Sequence, residues 1–135
     1  MRTVKVIKPH ELSSETGQTP FLVRYEAVSE RLTSSENLWM GLSILEPGLK
    51  TGVHHHGASE TALYVVRGVG RWWIGSKLNE PVEAQPGDFL YIPPNVLHWE
   101  ENVSTTDPVE MIVARSTMEA IVVNVDDHPY APDFA

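Results

Sequence analysis

Three of the six histidines stand side by side as His54-His55-His56, and a carboxylate, Glu60, follows close behind. Imidazole nitrogen and carboxylate oxygen are donors for transition-metal ions, and the stretch from Gly48 to Gly68 that holds them reads as short strand signals bounded by glycines. A strand sends alternate side chains to opposite faces, so His54 and His56 can converge on one ion while His55 faces away. Gly57-Ala58-Ser59 has the composition of a turn, from which Glu60 can return on a neighbouring strand as an oxygen ligand. A fourth ligand must then come from elsewhere in the chain. His10 and His128 stand alone and read as surface residues.

The whole chain bounds that chemistry. Its 135 residues fit one domain, expected to span residues 1–135, with 41% apolar and 21% charged residues. Eighteen acidic against ten basic side chains give a net charge of -8. A field of that sign repels phosphate backbones and anionic lipid, so neither nucleic acid nor membrane is expected as a partner. There is no cysteine, which excludes disulfides, thiolate zinc sites and cysteine nucleophiles. No apolar run approaches the roughly 20 residues of a spanning helix, and the first residues lack a signal-peptide pattern, so the expected location is cytoplasmic.

The elements that must position the site follow in order. Thr3 to Lys8 alternates and is rich in valine and isoleucine, which predicts a first strand ended by Pro9, within an N-terminal arm of about residues 1–20. Phe21 to Ser29 reads as a strand, with a short amphipathic turn as the alternative. Asn37 to Leu45 sets Leu38, Met40, Leu42 and Ile44 on one side and Trp39, Gly41, Ser43 and Leu45 on the other. Ala62 to Val66, Arg71 to Ile74, Leu78 to Ala84, Asp88 to Ile92, Val96 to Glu101, Val109 to Arg115 and Ala120 to Val125 complete an all-β pattern of short strands, expected to form a sandwich or barrel. Residues 126–135, polar and broken by proline, read as a C-terminal extension.

Gly87-Asp-Phe-Leu-Tyr-Ile-Pro93-Pro94-Asn95-Val-Leu-His98-Trp-Glu-Glu-Asn102 is the second informative stretch, and with the first it resembles the cupin family. The first cupin motif runs G, five residues, HxH, three or four residues, E, six residues, G, and Gly48, His54, His56, Glu60 and Gly68 fall on it. The second runs G, five residues, PxG, two residues, H, three residues, N, and Gly87, Pro93, His98 and Asn102 occupy its positions. Asn95 replaces the glycine of PxG, a mild change because Asn tolerates the left-handed conformation. Seven residues rather than six separate Glu60 from Gly68, so strict register places Thr61 at the ligand position, and a bulge is needed to restore Glu60. The resemblance implies a jelly-roll or double-stranded β-helix barrel holding one divalent transition metal, Fe, Mn, Zn, Ni or Cu, on His54, His56, Glu60 and His98, with a three-histidine site as the alternative. It also implies a homodimer.

By alternation from His98, Glu100 shares its face and Trp99 does not. Tyr64, Trp73, Tyr91, Glu100 and Arg115 are the candidate pocket residues, with Arg115 able to hold a substrate carboxylate or, more simply, a surface ion pair. The resulting expectation is a metal-dependent enzyme for a small organic acid or aromatic, foremost a non-haem Fe(II)-like dioxygenase or oxidoreductase. The alternatives are a metal-dependent isomerase, lyase or cyclase, and a cupin that binds a small ligand without turning it over.

Overall fold

The computed structural model describes residues 3–133, and antiparallel strands make nearly all of their regular structure. The strands are β1 (Leu22–Val28), β2 (Trp39–Leu45), β3 (His54–His55), β4 (Thr61–Arg67), β5 (Gly70–Ile74), β6 (Glu80–Ala84), β7 (Phe89–Ile92), β8 (Trp99–Asn102), β9 (Val109–Arg115) and β10 (Val123–Asn124). They form a five-stranded sheet in the order β1-β2-β9-β4-β7, a three-stranded sheet β6-β5-β8 and a two-stranded pair β10-β3. The result is a jelly-roll β-barrel. A single turn of 3-10 helix (Pro9–Glu11) and α1 (Glu30–Thr33), whose Leu32 N–H donates to Ser29 Oγ, are the helices among the described residues. Neither is long and apolar enough to cross a membrane.

Strand parity builds the interior. In β2, Trp39, Gly41, Ser43 and Leu45 face inward, and in β9 Val109, Met111, Val113 and Arg115 do the same. With Leu22, Leu63, Val65, Trp72, Ala84 and Ile92 these apolar side chains form the main core, each burial stabilising the fold by roughly 1.5–3 kcal/mol for the larger residues. Val53, Leu78 and Trp99 make a second cluster outside the barrel, with Trp73, Leu97 and Val125 packed on it. The inner face is not wholly apolar, for Arg24, Ser43, Thr61, Glu100 and Arg115 are buried on the same strands.

Two expectations change. Thr3 to Lys8 is not a strand: it pairs with no other segment, and Val4 and Val6 lie exposed. Alternation records which side chains prefer burial, but a strand exists only when its backbone groups find a neighbouring strand. Regular pairing also begins later than expected near the second motif, at Trp99 instead of Val96, because His98 meets the rest of the fold through an isolated bridge to His54. The ends of the arm and of the C-terminal extension, residues 1–2 and 134–135, lie outside the described residues.

Candidate metal centre

The bridge that precedes β8 joins the two motifs. His54 N–H donates to His98 O at 3.0 Å and His98 N–H returns to His54 O at 3.1 Å, fixing the two backbones face to face. The turns that follow and precede them are tied as well, because Asn95 N–H donates to Gly57 O at 2.8 Å. Asn95 has φ +62°, the conformation for which the second cupin motif uses glycine. Asn102, the last residue of that motif, donates from its side chain to Leu45 O and Asp107 O and so closes the loop beyond β8.

Each histidine ring is then oriented by one backbone carbonyl. His54 Nδ1 meets Gly52 O at 2.8 Å, His56 Nδ1 meets Ile121 O at 3.0 Å and His98 Nδ1 meets Val96 O at 2.9 Å. A carbonyl only accepts, so every Nδ1 carries the proton and every Nε2 offers a lone pair. Candidate ligand nitrogens of the three rings lie within 4.8 Å of one another, and the Nε2 atoms of His54 and His98 are buried without a hydrogen-bond partner. Burial holds all three rings neutral. It pushes the His54 pKa well below the ordinary value, with help from His98 and Arg24, that of His56 down to about 2 with Arg115 adding to it, and that of His98 to about 4. Three buried, neutral, convergent imidazoles are a donor set for a divalent transition ion.

Charged groups surround this triad. Glu100 Oε1 lies 3.9 Å from His54 Nε2, and its Oε2 has no partner. Burial pushes the carboxyl up to about 7 against the opposing pull of Arg24 and Arg115. Arg24 donates to Thr19 Oγ1 at 2.9 Å, and Arg115 Nε donates to Thr61 Oγ1 at 3.2 Å while its guanidinium lies 5.3 Å from the Trp39 ring centre. Beside His98 a separate cavity of about 130 Å³ is walled by Trp72, Ile74, Val82, Leu90, Tyr91 and Ile92.

The residues singled out in the sequence divide. His54, His56 and His98 meet, and Glu100 and Arg115 border them inside the barrel. Glu60 is not brought to them: it is exposed, and Tyr91 Oη donates to its carboxylate at 2.6 Å. No bulge precedes Thr61, so β4 opens with Thr61 pointing in, as the strict motif spacing has it, and its neighbour pointing out. Tyr64 lies on the outer face against Phe89, and Trp73 stacks on Trp99 outside the barrel, donating to Glu101. Tyr91, exposed, touches the apolar cavity at its rim. Arg24 is the residue that sequence reasoning missed. The signal that could have found it is parity, since it shares the inward face of Leu22 in β1.

Residues 41–115, more than half of the chain, match the family model of the cupin domain, and the chain belongs to that family. An uncharacterized protein of Methanocaldococcus jannaschii is 29% identical over 109 residues, which cover 76% of this chain and 81% of that one. Among solved structures, a polyketide cyclase from Streptomyces resistomycificus superposes with a TM-score of 0.72 at 15% identity, over 95% of this chain and 91% of that one. A deletion mutant of oxalate decarboxylase from Bacillus subtilis gives 0.71 at 21% identity, over 86% of this chain. The match takes in only 31% of the decarboxylase chain. At these identities the likeness is one of fold.

Proposed function

We propose that the protein is a metal-dependent enzyme for a small organic molecule, with His54, His56 and His98 holding one divalent transition metal per chain. The observation that carries this is the orientation of three Nδ1–H groups onto carbonyls, which leaves buried Nε2 lone pairs facing one another. All-imidazole donation suits Fe(II), Mn(II), Zn(II), Ni(II) or Cu(II) and disfavours Mg(II) and Ca(II). When bound, such an ion supplies Lewis acidity and open coordination positions. Glu100 supplies the proton chemistry: a carboxyl whose pKa stands at about 7 can hold or release a proton near neutrality beside the histidines. That favours a lyase, isomerase or cyclase type of reaction. The apolar cavity next to His98 favours a second reading, an Fe(II) dioxygenase or related oxidoreductase, because it offers apolar walls beside one member of the triad.

Elemental analysis of protein purified without added metal tests the common part of both readings, with about one equivalent of transition metal expected. Glu100→Gln then separates them. Loss of turnover with metal retained supports acid–base work, whereas O2 consumption that survives the substitution supports the oxygenase. We further propose a homodimer joined through the outer face of the five-stranded sheet.

A further inference from the structure

The barrel interior contains more buried positive charge than the protein itself neutralises. Arg24 Nη2 and Arg115 Nη1 are both buried and find no hydrogen-bond partner, and Ser43 Oγ is in the same condition. Their residues line one cavity together with His56, Thr61 and Glu100. One other nitrogen of each guanidinium group is engaged: Arg24 Nη1 by Thr19 Oγ1 and Gly17 O, and Arg115 Nε by Thr61 Oγ1. Glu100 lies near both but forms no hydrogen bond or ion pair with either, and its own Oε2 is unpartnered. Two cations against one carboxylate leave an excess of one positive charge in a water-poor interior. Buried charges of this kind are normally paired and hydrogen-bonded.

We infer that Arg24, Arg115 and Ser43 form the receptor for the carboxylate of a short organic acid, set inside the barrel beside His56. This deepens the enzyme reading above by naming its substrate class. The unpaired charge points there. The space open to the centre of a water-sized sphere is about 10 Å³, that of about one water, so the cavity admits a carboxylate only as its side chains draw apart. Guanidinium donors match the planar pair of carboxylate oxygens, and the Ser43 hydroxyl adds another donor. Because His56 and Glu100 line the same cavity, a carboxylate seated there puts the atoms next to it within reach of the triad. Aliphatic walls from Leu22, Leu63 and Val113 reject a bulky neighbour.

The test uses pyruvate, with pyruvamide as its neutral counterpart and inorganic phosphate as a rival anion, titrated calorimetrically into the full chain as purified and again after chelation. Saturable binding of pyruvate at one site per chain is expected in both states, with pyruvamide and phosphate much weaker. Arg24→Lys and Arg115→Lys should each weaken pyruvate by about ten- to a hundredfold, the range of a charge-assisted hydrogen bond, without lowering metal content. Should either variant fail to fold, the Nε–H resonances of both arginines in the unmodified protein serve instead and must shift on pyruvate addition. No saturable pyruvate binding, equal binding of pyruvamide or phosphate, or full affinity in both folded lysine variants overturns the inference. A protein that takes up no metal but binds pyruvate through these arginines would sink the enzyme reading and leave this one standing. Metal uptake with no pyruvate binding does the reverse.

Discussion

Arg115 donates to Thr61 across the β4–β9 pair, with both side chains buried, so a cation rests against the register position where the first cupin motif expects a carboxylate. Glu60, one place earlier, turns outward to Tyr91. Glu60→Ala should therefore leave metal content unchanged, while His54→Ala, His56→Ala and His98→Ala each cut it to about a tenth or less. His55 accepts a hydrogen bond from Gly57 N–H and faces away from the triad, so His55→Ala should keep the metal. Elemental analysis of the five variants decides the ligand set.

The titration of the interior fixes how the metal-free protein responds to acid. All three histidines have native pKa values below the ordinary value of 6.5, so the unfolded chain binds their protons first and stability falls as pH drops through that value. Glu100 has the opposite sign, with a native value near 7 against 4.5, so its contribution is present at low pH and lost as pH rises through 7. Three histidines against one carboxyl leave a net two protons, or at most about 2.7 kcal/mol of stability lost per pH unit between pH 6 and 5. Urea unfolding of metal-free protein across that interval measures the slope. Glu100→Gln should steepen it towards about 4 kcal/mol per unit and stabilise the protein above pH 7.

The outer face of the five-stranded sheet carries an apolar row that crosses every strand. Tyr25 opposes Leu42, Leu42 opposes Ile112, Ile112 opposes Tyr64 and Tyr64 opposes Phe89. Phe89 is 80% exposed. If two copies pair through this face, as proposed, Phe89→Glu and Tyr64→Glu will shift sedimentation from dimer to monomer without changing metal content. A wild-type chain that sediments as a monomer at high concentration removes the proposal.

Gly41 faces inward beneath Trp39, the ring that packs against Arg115. A Cβ there would stand 2.1 Å from Tyr25 O and 2.6 Å from Trp39 Cη2. Gly41→Ala should cost about 3 kcal/mol in urea unfolding, at the upper end of overpacking penalties. Gly52→Ala, whose new atom would meet nothing nearer than 3.6 Å, should change stability by less than about 0.5 kcal/mol.

Sequence carried the barrel and all three histidines that meet inside it for a definite reason. Alternation is a local signal, and it is enough by itself to separate Trp39, Gly41, Ser43 and Leu45 from Met40, Leu42 and Ile44. Motif spacing brought His98 to His54 across a distance that periodicity cannot see. Pairing partners are another matter, which is why Thr3 to Lys8 reads as a strand and is not one. Thr61 and Glu60 differ by one residue, hence by one face, and only the start of β4 determines which points inward. Arg24 stayed hidden because a charged side chain in a strand ordinarily marks the solvent face, and here it marks the interior.

The hydrogen bond from His56 to Ile121 reaches across 65 positions of sequence. On the ribosome the two motifs can emerge and pair long before the carbonyl that orients His56 has been made. Up to that moment the His56 ring lacks the carbonyl that orients it, while those of His54 and His98 already have theirs. A chain ended after Arg115 would retain the whole stretch that matches the cupin family and remain in that half-finished condition. If the centre holds metal as proposed, its loading would wait on the synthesis of a segment outside the motifs that define the family.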